Sequence, residues 1–243
     1  MKDPVESMPS KKLEQSMYGV RGASLAQRVT LAALVGCCTV LAWWLLLGGG
    51  IAAAGAWFGR LMHPGDPVRR VAMAVALSIY FIRLLFTEFV FLKRGVSWNE
   101  AFTIAPWVLF IFVLLSFDAG TNGAAIGPAA CAGAALFAIG SWMNSYAEYK
   151  RHAWKQRPEN LGRLYTLSLF RFSRHPNYLG DLLSFSGLCL LSGRWITAVI
   201  PMLMLLGFVF VNVPVLDAHL HDHYGTEFDE YARRTRKLIP FLY

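Results

Sequence analysis

Long apolar stretches, separated by short polar loops, recur along almost the whole chain. A stretch of roughly 20 apolar residues is long enough to cross a bilayer as an α-helix. The pattern therefore predicts an all-α fold, a polytopic integral membrane bundle of about six to seven transmembrane helices. The predicted spans are residues 29–47, 71–91, 101–117, 124–146, 178–191 and 195–216.

Two stretches of the chain do not fit the six predicted spans and are assigned separately. A glycine triplet at 48–50 interrupts the first apolar run, so residues 51–58 form either a re-entrant segment or an interfacial extension of that run. Residues 214–236 mix apolar with charged side chains, and a span this polar would be costly in lipid. They are predicted to form an amphipathic segment against the cytoplasmic face. The predicted division is a cytoplasmic tail, residues 1–28, and a single integral membrane domain, residues 29–243.

The amino-acid composition also indicates a membrane protein, and it does not favour a nucleic-acid partner, a disulfide or a metal site. The 243 residues are 56% hydrophobic and 16% charged, with a mean hydropathy of +0.43, whereas soluble domains carry about 25% charged residues. A net charge of +8 does not imply nucleic acid as a partner, because the basic residues fall in short loops between spans. The four cysteines lie in apolar runs without metal-ligand spacing, so neither a disulfide nor a metal site is predicted.

The basic loops predict the orientation. Residues 150–174 contain seven Lys or Arg residues, whereas residues 118–123 contain none. The positive-inside rule therefore places the 150–174 loop in the cytoplasm and, with an even number of spans, both termini as well. The loop that contains Arg60, Arg69 and Arg70 disagrees with this orientation. We expect an integral protein of the inner membrane of a bacterium, with its site facing the cytoplasm.

The densest polar cluster lies between the fourth and fifth predicted spans. Asn144 and Glu148 are four residues apart and so share one helix face. Arginine suits phosphate because its planar fork donates two parallel hydrogen bonds, and helix N-termini attract anions. The cluster therefore predicts an anion-binding site at the membrane edge; alternatively, its arginines only anchor a helix to lipid headgroups. The residues before and within the fifth span are Arg171, Arg174, His175, Asn177 and Asp181.

Three segments of the C-terminal half carry a family resemblance. They read KQRPENLG at 155–162, RHPNYLGD at 174–181 and YARRTRKLIPFLY at 231–243. Together, over roughly residues 140–243, they resemble the C-terminal domain of the steroid 5-alpha-reductase family. The second motif is also similar to one in isoprenylcysteine carboxyl methyltransferases and related membrane methyltransferases.

The resemblance implies a cofactor site. In the reductases the positions matching Asn144, Glu148, Asn177 and Asp181 bind NADPH, and Tyr224 resembles a tyrosine that contacts the cofactor. The family's loop arginines correspond, depending on the alignment, to His152, Lys155 or Arg157. The charge pattern completes the predicted cofactor-binding set with Arg163, Arg171, Arg174 and His175. The methyltransferase resemblance implies S-adenosylmethionine in the same pocket.

Two departures from these families affect the predicted substrate. The reductases carry a Gln-Glu pair near their N-terminal spans, and this sequence has no recognisable equivalent. The methyltransferases carry paired acids after the last span, where this chain has a lone Asp217. The predicted partners are therefore membrane lipid and a lipophilic small-molecule substrate, an enone that is steroid-like only by resemblance.

Two charged residues, Arg83 and Glu88, fall inside the second predicted span. A charge there costs at least about 2.5 kcal/mol and so normally faces a cavity or a partner. A protonated Glu88 could donate to a substrate carbonyl, with Tyr178 or Tyr80 as the other candidate donors. The alternatives are that Arg83 has a structural partner and that the tyrosines are interfacial anchors.

Three hypotheses follow from the sequence. The first is an NADPH-dependent membrane reductase that transfers hydride to a lipophilic enone, with Glu88 and Tyr178 as catalytic candidates. The second is an S-adenosylmethionine-dependent membrane methyltransferase of the isoprenylcysteine carboxyl methyltransferase type. The third is a non-catalytic lipid-binding protein. The sequence leaves the substrate and the oligomeric state open.

Overall fold

The computed structural model describes residues 24–243, and the regular structure over this range is helical. The nine α-helices of this range are α1 Leu25–Leu47, α2 Gly50–Trp57, α3 Pro67–Phe86, α4 Trp98–Thr121, α5 Pro128–Lys155, α6 Pro176–Ser192, α7 Val199–Gly207, α8 Val213–Tyr224 and α9 Thr226–Arg234. A π-helical turn, Thr87–Phe91, extends α3, and another, Phe208–Asn212, joins α7 to α8. The predicted all-α class is confirmed for the described range, and the predicted tail, apart from its last residues, lies outside it.

Four helical stretches are long and apolar enough to cross a membrane. They are Leu25–Leu47, Pro67–Phe91, Trp98–Thr121 and Trp195–Tyr224, and each coincides with a predicted span. The other two predicted spans also fall on helices, α5 and α6, although these do not meet the same criteria of length and hydropathy. The chain therefore has the apolar helices of an integral membrane protein, and the total of six to seven crossings stays a prediction.

The local sequence explains two of the helix boundaries, the start of α3 and the break between α1 and α2. The side chain of Asp66 accepts a hydrogen bond of 2.8 Å from the backbone N–H of Arg69, and Pro67 opens α3. This is a normal N-cap, since an Asp oxygen satisfies one of the free N–H groups of the first turn. At Gly49, φ is +83°, a backbone conformation that separates α1 from the short α2. The predicted break at 48–50 is thus a helix boundary.

Four glycines let α5 and α6 pack backbone against backbone. Gly133 and Gly140 lie two turns apart on α5, as Gly180 and Gly187 do on α6. A Cβ atom at Gly140 would lie 2.5 Å from the carbonyl oxygen of Gly180, and one at Gly187 would lie 2.4 Å from the backbone nitrogen of Phe137. Small residues at a helix interface allow this close approach, which fixes the two helices that carry most of the polar cluster.

The C-terminal region contains α8 and α9. The helix of the last predicted span continues without a break beyond residue 216 to Tyr224, so residues 214–224 belong to the same helix. After Gly225, α9 is amphipathic: it buries Phe228 and Tyr231, and its other face is charged. The location of residues 214–236 against the cytoplasmic face stays a prediction.

Candidate functional site

A cavity of about 680 Å³ lies where the ends of the α3 extension, α5 and α8 meet the loop at 164–177. This volume is within the usual range of ligand pockets, about 300–1,000 Å³. Part of its wall is apolar, formed by Leu92, Leu164, Leu216 and Leu220 among others. The remainder is polar and aromatic, so the cavity suits a ligand with both an apolar and a charged part.

The charged part of the wall is basic. Five Lys or Arg side chains line the cavity and, among the described residues, no Asp or Glu does. The five are Lys93, Arg94, Arg151, Lys155 and Arg174. All three arginines among them have carboxylate partners, at distances of 2.5 to 2.9 Å. Those partners are Glu100, Glu148 and Asp217. The basic groups outnumber the acidic ones, which favours an anionic ligand.

Three residues predicted to bind cofactor form one hydrogen-bonded unit between α5 and α6. The amide of Asn144 donates to the backbone carbonyl of Asn177 (3.0 Å), and the amide of Asn177 donates to Glu148 (3.1 Å). The other carboxylate oxygen of Glu148 is 2.5 Å from Arg151. Only Asn177 and Arg151 line the cavity. Asn144 and Glu148 are buried and orient them from behind.

A second unit joins the start of α6 to α8. One carboxylate oxygen of Asp217 forms an ion pair with Arg174, and the other contacts the Nε2 atom of His175, both at 2.9 Å. Arg174 and His175 line the cavity and are 8% and 1% exposed. A paired, hydrogen-bonded arginine can stay charged at such a buried position, whereas an unpaired one would be very costly. Within the described residues, Nε of Arg174 is buried and has no hydrogen-bond partner.

The end of the chain holds this second unit in place. The backbone N–H of Arg174 donates to the carbonyl of Arg236 (2.8 Å), and that of His175 donates to the carbonyl of Lys237 (3.2 Å). The Tyr231 hydroxyl donates to the carbonyl of Phe170 (2.7 Å). Burial raises the pKa of Tyr231 above its ordinary value, and the nearby Arg174 opposes this shift. Tyr231 therefore remains a neutral hydrogen-bond donor at ordinary pH.

Lys155 and Tyr224 meet across the cavity mouth. Nζ of Lys155 is 2.5 Å from the Tyr224 hydroxyl and 5.0 Å from the centre of its ring. His152 lines the same wall one turn before Lys155, and its buried Nδ1 atom has no partner within residues 24–243. The structure thus brings together five members of the predicted cofactor set at the cavity wall. These are Lys155, Arg174, His175, Asn177 and Tyr224.

Three predicted basic residues are not part of the cavity wall. Arg157, Arg163 and Arg171 are exposed and lie outside its lining. Each is in a turn or a loop between α5 and α6, where a side chain can reach solvent or lipid headgroups without contacting the cavity.

The intramembrane candidates have other surroundings. Asp181 forms a 2.5 Å ion pair with Arg83 between α6 and α3, and it does not line the cavity. Glu88 is 7% exposed in the π-helical turn, and within the described chain its Oε2 atom is buried without a hydrogen-bond partner. Tyr178 stacks between His175 and Phe208, with ring centres 5.4 and 4.7 Å apart. Glu88 and Tyr178 therefore flank the cavity without lining it.

Sequence analysis missed four charged residues of this site. Lys93, Arg94 and Arg151 line the cavity, and Asp217 holds Arg174 and His175. A usable signal existed for the first two, because the loop after the second span must emerge on the same side as the loop after the fourth. Asp217 offered no such signal, since its partners are more than 40 residues away along the chain.

Comparison with known proteins finds relatives named as methyltransferases and as a steroid dehydrogenase. The chain is 30% identical to the probable O-methyltransferase ustE of Ustilaginoidea virens over 187 residues, which are 66% of each protein. It is 28% identical to 3-oxo-5-alpha-steroid 4-dehydrogenase 2 of Macaca fascicularis over 116 residues, 46% of this chain and 42% of that one. It is also 28% identical to a probable protein-S-isoprenylcysteine O-methyltransferase of Oryza sativa subsp. indica over 91 residues, 37% of this chain and 48% of the relative.

The chain thus spans less than half of the length of two of these relatives, the steroid dehydrogenase and the probable isoprenylcysteine O-methyltransferase. The resemblance inferred from the C-terminal motifs is confirmed at this level. Residues 98–235, more than half of the chain, match a family described as a protein of unknown function, DUF1295. The chain therefore belongs to the DUF1295 family.

Proposed function

We propose that this protein is an NADPH-dependent membrane reductase that acts on a lipophilic enone. The observation that carries the proposal is the cavity wall, which contains five basic side chains and no carboxylate among the described residues. NADPH carries several phosphate charges, and arginine and lysine are the usual partners of phosphate. S-adenosylmethionine instead carries a sulfonium, an ammonium and a single carboxylate group, and its net positive charge is disfavoured by such a wall.

The residues present fit a phosphate-bearing cofactor. Arg174 lines the cavity and is held by Asp217, so its guanidinium group is fixed in place toward an anionic ligand. Asn177 and Tyr224 add neutral hydrogen-bonding groups to the same wall. NADPH would supply the hydride; the protein would bind the cofactor, orient it and keep water from the apolar side of the cavity. The buried Glu88 is the proposed acid toward the substrate carbonyl.

The methyltransferase remains the second candidate because of the comparisons. The probable O-methyltransferase matches the largest share of this chain among the relatives above. His175, held by Asp217 at 2.9 Å, is also suitably placed to accept a proton from a methyl-acceptor hydroxyl. Binding of S-adenosylmethionine without binding of NADPH would establish this function and overturn the reductase.

A pair of neighbouring variants tests the proposal. Lys155 lines the cavity, whereas Arg157, two residues later, is exposed outside it. We expect Lys155→Met to weaken NADPH binding by about 1.5–3 kcal/mol, the usual contribution of a hydrogen bond to a charged group. Arg157→Met should leave binding unchanged. Dissociation constants of purified protein for NADPH, NADH and S-adenosylmethionine, measured by calorimetry in detergent, provide the readout.

Equal losses in the two variants would indicate general charge attraction rather than a built site. If the wild type binds neither NADPH nor S-adenosylmethionine, the non-catalytic lipid-binding hypothesis replaces both enzymatic functions. Thermal stabilisation by saturating ligand is an independent measurement, because a ligand that binds only the folded state raises the melting temperature.

A further inference from the structure

The first turn of α1 is bonded to one rim of the cavity. The guanidinium group of Arg28 donates to three backbone carbonyls, those of Glu88, Leu92 and Arg94, the last two at 3.0 and 2.6 Å. Its Nε atom also donates to the Ser24 hydroxyl (3.2 Å). One side chain of α1 thus holds both the π-helical turn and the segment that follows it, up to Arg94.

This segment needs such a partner because its backbone leaves the helix there. The last carbonyls of any helix lack intrahelical donors, and Leu92 is extended, with φ −78° and ψ 113°. Residues 91–94 then form a rim of the cavity that carries two of its five basic side chains, Lys93 and Arg94. From the other side, Arg94 is held by a bidentate contact to Glu100, at 2.6 and 2.7 Å.

We infer that Arg28 is a positioning residue for cofactor binding: it fixes the 91–94 rim so that Lys93 reaches a phosphate of the cofactor, while Arg94 stays paired with Glu100. The inference rests on the proposed function, because it takes the cavity to hold NADPH. It also assigns a role at the site to α1, which lies outside the region matched by the family, residues 98–235. The binding site is then completed by the N-terminal part of the chain.

The test compares Arg28→Met with Arg70→Met. Arg70 is a matched control because its Nε atom likewise donates to a helix-end carbonyl, that of Leu46 (2.5 Å), far from the cavity lining. We expect Arg28→Met to raise the dissociation constant for NADPH about tenfold, the effect of one charge-assisted contact. Arg70→Met should leave it unchanged. Arg28→Lys, which retains the charge but cannot span three carbonyls, should give an intermediate constant.

A double-mutant cycle separates positioning from general loss of structure. If Arg28 acts through the rim, Lys93→Met should cost about tenfold in wild type and much less in the Arg28→Met background. Lys155→Met, which removes a cavity-lining charge on α5 that is not bonded to Arg28, should cost the same in both backgrounds. If Arg28→Met does not fold, the same cycle is measured with Arg28→Lys.

Additive losses for Arg28 and Lys93, or unchanged binding in both Arg28 variants, would overturn the inference while leaving the reductase in place. A wild type that binds no NADPH would instead overturn the proposed function, and the inference with it. The two failures are distinguished by the wild-type titration alone.

Discussion

Arg83 and Asp181 join α3 to α6 through a 2.5 Å ion pair, and the side chains are 9% and 24% exposed. Removing one partner of a buried pair leaves the other charge uncompensated, which costs about 3–5 kcal/mol. Because Asp181 is partly accessible, we expect Asp181→Asn to lie near the lower end, about 3 kcal/mol. In a chain of this size 1 kcal/mol corresponds to roughly 2–4 °C, so the melting temperature should fall by about 6–12 °C.

The assay is thermal unfolding of the purified variants in detergent, followed by intrinsic tryptophan fluorescence. Arg83→Met combined with Asp181→Leu should be less destabilised than either single variant, because a pair replaced by apolar residues leaves no buried charge. NADPH affinity should be nearly unchanged in each of these variants that folds. A normal melting temperature together with a large loss of NADPH affinity in Asp181→Asn would refute this reasoning and return Asp181 to the cofactor site.

Three further outcomes are expected. Gly187→Ala should destabilise the protein by about 1–3 kcal/mol, because the new Cβ atom would lie 2.4 Å from the backbone nitrogen of Phe137. Gly123→Ala should not destabilise it, because nothing lies within 4 Å of that Cβ position. Thermal unfolding of both variants checks this. Glu88→Gln should retain the fold and cofactor binding but lower turnover about 100-fold, because a protonated acid at this position would assist the substrate. Steady-state kinetics measures this, and unchanged turnover would exclude Glu88 from the mechanism. Tags at either terminus should be accessible from the cytoplasm in a protease-protection assay, and a protected C-terminus would reverse the orientation.

The helical architecture follows from the sequence because bilayer crossing imposes a simple constraint on length and polarity. Every predicted span coincides with a helix, and the glycine triplet at 48–50 is a helix boundary. The end of the last span stays a prediction, because the helix continues to Tyr224 through the more polar residues 214–224. Side chains of this stretch line the cavity, among them Leu216, His219 and Tyr224.

The site was only partly predictable because its pairings are set by tertiary structure. The cost of a charge in lipid correctly required a partner for Arg83, but spacing along α3 could not identify Asp181 on another helix. Asp217 was singled out only as a departure from the methyltransferases' paired acids, yet it holds both Arg174 and His175. Motif resemblance located the right helix start, and only the fold shows which residues orient others from behind.

Two of the three arginines that disagree with the predicted orientation, Arg69 and Arg70, have a structural role. Arg69 is 3% exposed, and its guanidinium group donates to the carbonyls of Leu191, Ala124 and Ala125 at the end of the bundle away from the cavity. Arg70 does the same for Leu46 at the end of α1. A cation that satisfies the free carbonyls of a helix C-terminus is favoured there whichever side of the membrane it faces. These two charges therefore do not weigh against a cytoplasmic position for the basic 150–174 loop and the cavity beside it.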